Sequence, residues 1–374
     1  MQTTKHTAQA TGKFGLVVIR PDDYSTSVKY PLVVFLHGIG EQGSGSDGDL
    51  NRLISGIPAA LQKWADDYKL IIVAVQSNAA FTLDEPGFAL NWASANLSIK
   101  LNQKLLTGLS WGGGGVMNFI TKSLSNAERF SCAAPVAMTW VTPATWKFPV
   151  DAKLPVWAFH NLYDPNGGTP VNATVGAITG INALNPAIKA EYTLFDKKDH
   201  GGWNEAYTAE KGKPLIAPNG KGLTEPILNL PEWFLSNTDE TPKAITGKYA
   251  PMALTAAAKA TLNGDTVTLD GTGSYNWKSA KWSIVTVPTG VKIWDVNVVG
   301  GGSISGTCKL PAKGVYVFRL TVFPENNYTG TSASIDVTVD YGGVVTEPPP
   351  VPPTAKTITK VLITYSDGST QEVK

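Results

Sequence analysis

Apolar strand-like runs alternate with amphipathic helical segments over the first 240 residues of this chain. Leu32–Leu36 and Leu70–Val75 are continuous apolar runs, typical of buried parallel strands. Between them, apolar residues recur at helical spacing from Leu53 to Tyr68, which predicts one amphipathic helix. Further strands are predicted at Leu16–Ile19, Lys104–Leu109, Pro155–Phe159 and Ala190–Phe195, and helices at Pro86–Asn96, Val116–Leu124 and Pro231–Leu235. Such alternation predicts an α/β fold with a doubly wound, mostly parallel sheet.

The pattern changes after Thr238, where no helical period remains. Short alternating strands are predicted at Thr266–Leu269, Ser279–Val285, Val315–Phe323 and Ala333–Val339. About 100 residues of such strands favour a β-sandwich. A Pro-rich segment and a hairpin around Asp367-Gly368 follow. We therefore predict an α/β domain at 1–240, a sandwich at 241–343, and a linker with a hairpin at 344–374.

Composition narrows the possible partners. The formal net charge is +1, from 31 basic and 30 acidic residues, so nothing favours nucleic acid. No apolar stretch is long enough to span a membrane. Cys132 and Cys308 fall in different predicted domains, and with four histidines they form no metal-ligand pattern. We expect no metal and no cofactor; Asp270 in a turn is interpreted as a turn residue rather than a calcium ligand.

The segment Gly108-Leu109-Ser110-Trp111-Gly112 fits the pattern G-x-S-x-G between a predicted strand and a predicted helix. That context is required of a nucleophile elbow, a sharp turn that needs small residues on either side of the serine. The alternative is a glycine-rich packing turn. We take Ser110 as the nucleophile.

A nucleophilic serine needs a base and an orienting acid, in the chain order Ser, Asp or Glu, His. Only His160 and His200 follow Ser110. His200 lies in a glycine-rich loop after a strand, and Asp164 precedes it in a loop, so order selects these two. His160 is predicted to brace the acid loop. Two rival acids are Asp196 and Asp199.

The oxyanion hole requires two backbone N–H groups. One is expected from Trp111, directly after the nucleophile. The other is expected from Ile39, in the glycine-containing turn that follows the Leu32–Leu36 strand. The alternative for that turn is a plain flexible loop.

Four motifs follow one another along the first domain: Leu36-His37-Gly38 with Gly40-Glu41 and Gly43, Leu106 to Gly115, Pro155 to His160 with Asp164-Pro165, and His200 with Trp203-Asn204 and Ala206-Tyr207. In this order they resemble bacterial esterases of the α/β-hydrolase fold, and the resemblance spans roughly residues 14 to 236. The relatives are feruloyl and acetyl-xylan esterases, polyhydroxybutyrate depolymerases and the phospholipase/carboxylesterase group. The resemblance implies Ser110, Asp164 and His200 as the triad. The chain departs from the family at Asn161, where many relatives carry glycine, and in the polar stretch Lys211–Leu228, which looks inserted.

The second domain, from Thr266 to Tyr275 with Lys281-Trp282 and Gly314 to Tyr316, more loosely resembles polycystic-kidney-disease (PKD) and other immunoglobulin-like modules of secreted bacterial carbohydrate-active enzymes. Together the resemblances imply a secreted serine esterase, its leader removed, that acts on feruloyl or acetyl esters of plant polysaccharide. A serine peptidase, a polyester or lipid esterase, and a glycan-binding protein with a relic hydrolase fold are the alternatives. Trp140 and Trp203 are candidate substrate-binding residues, since indoles stack on sugars and aromatic acyl groups; a packing role is the alternative.

Overall fold

A computed structural model describes residues 1–82, 84–139, 141, 143, 145–250, 252, 254–274, 277–324 and 331–342, and the backbone of 361–364 and 370–373. The chain divides into two compact units, Met1–Pro251 and Met252–Lys374.

A ten-stranded sheet forms the centre of the first unit. Its strands are β1 (Gln2–His6), β2 (Leu16–Arg20), β3 (Tyr30–Leu36), β4 (Ile71–Val75), β5 (Ile99–Leu109), β6 (Cys132–Val136), β7 (Trp157–Asn161), β8 (Glu191–Phe195), β9 (Lys221–Pro226) and β10 (Gly247–Ala250). Their order is β1-β2-β4-β3-β5-β6-β7-β8-β9-β10. The strands from β4 to β8 pair in parallel, and antiparallel strands close both sides. This is the α/β-hydrolase fold, which confirms the predicted fold class.

Helices connect the strands. They are α1 (Ala8–Thr11), α2 (Asp47–Gly56), α3 (Ala59–Asp67), α4 (Asp84–Asn96), α5 (Trp111–Ile120), α6 (Leu124–Ala127), α7 (Lys147–Asp151), α8 (Val171–Asn182), α9 (Trp203–Tyr207) and α10 (Leu230–Ser236). Ser46 and Asn229 cap α2 and α10 by accepting backbone N–H bonds. Within the described part of the chain, no helix has the length and apolar character needed to cross a bilayer.

The single helix predicted over Leu53–Tyr68 is wrong. The segment forms two helices, α2 and α3, with Pro58 between them. Proline lacks the N–H that would continue the helix, and it pushes the preceding residue away from helical dihedrals. The apolar period continues because both helices bury one face against the same sheet.

The sequence pattern did not predict two strands of the sheet, β9 and β10. Strand β9 lies inside the polar stretch Lys211–Leu228, which is therefore part of the sheet rather than a surface insertion. Strand β10 pairs with β9, and Ile245 just before it belongs to the core. The first unit thus extends past the predicted boundary at residue 240. Both strands lie at one side of the sheet, and the charged residues Lys221 and Glu225 of β9 are the two in that strand that are not fully buried.

Aromatic side chains tie the last helices to the strands that carry the site. The Tyr207 hydroxyl of α9 lies 2.8 Å from the Thr107 hydroxyl of β5, and the Trp64 indole N–H donates to the Tyr207 carbonyl at 2.9 Å. Trp157 of β7 packs edge-on against Trp233 of α10. These contacts lie in a core that is completely buried, so the sheet is a rigid support for loops at its edge.

The second unit contains two three-stranded antiparallel sheets. The strands are β11 (Lys259–Asn263), β12 (Thr266–Asp270), β13 (Ser279–Thr286), β14 (Ser305–Lys309), β15 (Gly314–Phe323) and β16 (Ala333–Tyr341), and a separate pair β17 (Val361–Thr364) and β18 (Thr370–Val373) follows. Both three-stranded sheets contribute side chains to one core, among them Val267, Trp282 and Phe318. The unit is therefore all-β, as the alternating pattern indicates.

We predict that a chain ending at residue 251 folds alone, because the core of the first unit is made only of residues before that point. A chain ending at 240 loses β10 and Ile245, which is 8% exposed. Burial of an isoleucine is worth about 2 kcal/mol, so the shorter chain should lose at least that much free energy of unfolding. Urea unfolding of both chains measures the difference. Equal stabilities would show that residues 241–251 are not part of the first unit.

Candidate active site

The backbone turns sharply at Ser110. Strand β5 ends at Leu109 and α5 begins at Trp111, and between them Ser110 has φ 55° and ψ −116°, a combination that costs on the order of 1–3 kcal/mol for a residue with a side chain. The Ser110 N–H donates to the Val136 carbonyl at 2.9 Å, which ties the turn to β6. A Cβ on Gly112 would lie 2.0 Å from the Leu36 carbonyl oxygen, so only glycine fits there. The turn sets the Ser110 hydroxyl at the carboxyl edge of the sheet.

His200 contacts both of its predicted partners. Its Nε2 lies 3.0 Å from Ser110 Oγ, and its Nδ1 lies 2.7 Å from Asp164 Oδ2. A carboxylate can only accept, so Nδ1 donates to it, and Nε2 is left to accept from the serine hydroxyl. The loops after β5, β7 and β8 therefore bring Ser110, Asp164 and His200 together in the hydrogen-bonded arrangement of a serine nucleophile, its base and an orienting acid.

The Asp164 carboxylate has no solvent-exposed surface. Burial opposes its ionisation, but hydrogen bonds from His160, from His200 and from the Asn166 N–H outweigh burial and lower the pKa of Asp164 to about 2. The acid therefore stays charged well below neutral pH, and it can stabilise the imidazolium that forms when His200 accepts a proton.

His160 is bonded to the loop that carries Asp164, and among the described residues it makes no hydrogen bond with Ser110. Its Nε2 lies 2.9 Å from the Thr169 carbonyl oxygen and 3.2 Å from Asp164 Oδ2, and its Nδ1 lies 2.8 Å from Thr174 Oγ1. Carbonyl and carboxylate oxygens only accept, so Nε2 carries the proton. His160 thus fastens the Asp164 loop to the start of α8.

The rival acids are placed elsewhere. Asp199 accepts from the Asn161 amide at 3.2 Å, and Asp196 is exposed on the surface. Among the described residues, neither makes a hydrogen bond with His200. The same part of the chain contains no cluster of three His, Cys, Asp or Glu placed to bind a metal ion.

The two expected oxyanion donors lie at the starts of short helices. Trp111 is the first residue of α5 and Ile39 the first of a 3₁₀ turn, Ile39–Glu41, so the N–H of each has no acceptor within its own helix. The turn passes close to the nucleophile, since a Cβ on Gly38 would lie 3.7 Å from Ser110 Cβ. This is where a developing oxyanion would need donors, and the two roles stay predictions.

A buried histidine orients the peptide between Gly38 and Ile39. The Ser77 N–H donates to His37 Nε2 at 3.0 Å, so the ring proton is on Nδ1 and is donated to the Gly38 carbonyl at 2.6 Å. Burial lowers the pKa of His37 and keeps the ring neutral. In a trans peptide the C=O and N–H point in opposite directions. His37 therefore turns the Ile39 N–H away from itself.

Gln76, the residue directly after β4, holds the backbone that follows the Ile39–Glu41 turn. The buried Gln76 amide donates to the carbonyls of Glu41 and Asp49 at 2.9 and 3.0 Å, and its oxygen accepts from the Gly45 N–H at 3.0 Å. Sequence reasoning missed Gln76. The available signal was its position at the carboxyl end of a predicted strand, the edge at which the candidate nucleophile, acid and base also lie.

Of the two candidate substrate-binding tryptophans, the structure describes Trp203 alone. Trp140 lies outside the described residues. The Trp203 ring meets the His200 imidazole edge-on at 5.1 Å between centroids, while its body packs partly buried against the core. It lies beside the base and also has the packing role that was the alternative.

The chain is similar to several solved hydrolases, each at low sequence identity. A thermostable esterase is 22% identical, with a TM-score of 0.46, over 63% of this chain and 62% of that one. Pyrococcus horikoshii acylaminoacyl peptidase is 14% identical, with a TM-score of 0.36, over 53% and 37%. The Staphylococcus aureus fluorophosphonate-binding serine hydrolase FphF is 13% identical, with a TM-score of 0.40, over 55% and 94%. The match thus spans less than two thirds of the esterase. No protein-family model and no curated protein matches the sequence.

We predict that Gln76→Glu lowers kcat for a small ester by roughly tenfold to a hundredfold, less than the loss of a whole oxyanion donor. The new carboxylate would place an acceptor against the Glu41 and Asp49 carbonyls and loosen the turn. Gln103→Glu is the matched control. Gln103 is also buried and donates to a backbone carbonyl, that of Leu235, but it lies in the first half of β5, away from the end that leads into Ser110. A Gln76→Glu enzyme with the wild-type kcat would mean that Gln76 does not hold the donor in place.

The low pKa of Asp164 predicts a dependence of stability on pH. The folded-state pKa of about 2 lies below the ordinary 3.8, so ionised Asp164 stabilises the folded chain above about pH 4, and this contribution is lost as the pH falls towards 2. The free energy of unfolding of wild type minus that of Asp164→Asn should drop by on the order of 1.5 kcal/mol between pH 5 and 2.5. Urea unfolding at each pH measures it, and a difference independent of pH would contradict the assigned contacts.

Proposed function

We propose that this chain is a carboxylic-ester hydrolase that works through an acyl-enzyme on Ser110. The observation that carries the proposal is the continuous hydrogen-bonded line from Ser110 Oγ through His200 to Asp164, set on the elbow of an α/β-hydrolase fold. All three members are present and in contact, which speaks against a relic fold that only binds.

The geometry supports the following sequence of proton transfers. His200 Nε2 takes the hydroxyl proton as Ser110 Oγ attacks the ester carbonyl, and the N–H groups of Trp111 and Ile39 stabilise the oxyanion. Collapse of the tetrahedral intermediate expels the alcohol, which receives that proton from His200. Water then attacks the acyl-enzyme with the same base and releases the acid and free Ser110.

We further propose that the substrates are feruloyl or acetyl esters on plant polysaccharide, handled outside the cell. The support is the resemblance of the four motifs and of the all-β unit to secreted esterases and their modules. A low content of charged residues, 16%, is in keeping with a surface that handles neutral glycans. The PKD-like character of the second unit is part of this proposal.

A serine peptidase is the main competing function, because the same three residues cleave amides. A polyester or lipid esterase is the other. A panel of methyl ferulate, acetylated xylan, p-nitrophenyl esters of rising chain length and a peptide p-nitroanilide separates the three. We expect the highest kcat/KM on the first two. Preference for long acyl chains or for the anilide would replace the substrate class and leave the mechanism in place.

Ser110→Ala should lower kcat by roughly 10⁴- to 10⁶-fold without unfolding the protein, because in the proposed mechanism the acyl-enzyme forms on the Ser110 hydroxyl. Ser131→Ala is a matched control. Ser131 is also a buried serine, but it bonds to Asn102 and Asp239 and lies directly before the amino end of β6, whereas Ser110 follows the carboxyl end of β5. The control should lose stability and keep kcat. Hydrolysis of p-nitrophenyl acetate measures both, and near-normal turnover by Ser110→Ala would remove Ser110 as the nucleophile.

A further inference from the structure

Asn161 is a completely buried asparagine at the last position of β7. Its amide nitrogen donates to the Asp199 carbonyl at 3.0 Å and lies 3.2 Å from Asp199 Oδ1. Both partners are acceptors, so the nitrogen is the atom that faces them. The side chain therefore joins the strand that leads into the Asp164 loop to the residue directly before His200.

The loop that carries His200 rests on this side chain. A Cβ on Gly201 would lie 3.1 Å from the Asn161 amide nitrogen, and a Cβ on Gly202 would lie 3.3 Å from the amide oxygen. Gly202 has φ 99°, and α9 begins at the next residue. Within the described residues, the backbone of 198–201 makes no hydrogen bond with another backbone group. The hydrogen bond from the Asn161 side chain therefore restrains the backbone directly before His200.

The amide oxygen of Asn161 bears on why this buried residue is an asparagine. Its Oδ1 is buried and has no hydrogen-bond partner among the described residues. A stranded acceptor destabilises the folded state, and an apolar side chain of similar shape would fill the same space without it. Packing alone therefore does not explain an asparagine here, whereas the two donated bonds to Asp199 do.

We propose that Asn161 is a positioning residue for catalysis, which holds the His200 loop at the correct distance from both Asp164 and Ser110. This inference rests on the proposed function. Asn161 acts through Asp199 and does not touch the reacting atoms. Its contribution is to fix the imidazole in the transition state, when a proton passes between His200 and the substrate.

The test is Asn161→Leu, which removes the donor bonds and the stranded acceptor together. Asp199 is an exposed residue, and we expect its freed carbonyl to bond to water instead. The urea midpoint should stay the same or rise, while kcat and kcat/KM for p-nitrophenyl acetate fall together by about 10- to 100-fold, as expected for a displaced catalytic group. KM should stay within about threefold.

Asn237→Leu is the matched control. Asn237 is also completely buried, and its amide bonds to the backbone of Trp233 and Lys243, remote in sequence from the triad loops. This variant should lose stability and keep kcat, the reverse of Asn161→Leu. If Asn161→Leu does not fold, Asn161→Gly removes the same bonds without adding bulk, and its kcat should fall in the same range.

The rate at which a fluorophosphonate modifies Ser110 separates the two possible failures. If wild type is not modified, the proposed function fails, and this inference fails with it. If wild type is modified and the Asn161 variants match its rate and its kcat, Asn161 is not a positioning residue. A loss of activity no larger than the parallel loss of stability would also show that Asn161 has only a structural role.

Discussion

The strained backbone at Ser110 is the feature on which the rest of the site depends. A residue with a side chain adopts φ 55° and ψ −116° only where its surroundings enforce it. Here a buried parallel strand precedes the turn, a helix follows it, and the neighbouring strand binds the Ser110 N–H. The first turn of α5 leaves N–H groups without acceptors inside their own helix, beside the serine. In the proposed mechanism, one turn thus supplies both the nucleophile and one of the two oxyanion donors.

The remaining groups are arranged around that turn by buried polar contacts at the carboxyl edge of the sheet. Two histidines outside the proposed line of proton transfer hold the loops in place: His37 orients the Gly38–Ile39 peptide, and His160 fastens the Asp164 loop. Gln76 and Asn161 add amide bonds to the loops that carry the proposed oxyanion donor Ile39 and the proposed base His200. Side chains locked in this way limit the motion of the reacting groups, which is how a site keeps them at reacting distance.

The sequence was sufficient for the parts of this site that local patterns encode. Continuous apolar runs predicted most of the parallel strands, and G-x-S-x-G with the order of Asp164 and His200 predicted the three residues that the structure brings into hydrogen-bond contact. It was not sufficient where the information is tertiary. Strand β9 has no continuous apolar run, although four of its six residues are buried, and Pro58 separates two helices whose apolar period continues across the break. The support given by Gln76 and Asn161 depends on neighbours 27 to 38 residues away, which no local pattern records.

The central claim is that Ser110 forms a covalent intermediate with His200 as its base. Mass spectrometry of the protein after a fluorophosphonate reaction, followed by peptide mapping, tests it most directly. We expect one adduct per chain, located on Ser110, and formed far more slowly in His200→Ala. An unmodified Ser110, an adduct on another residue, or an unchanged rate in His200→Ala would contradict the claim.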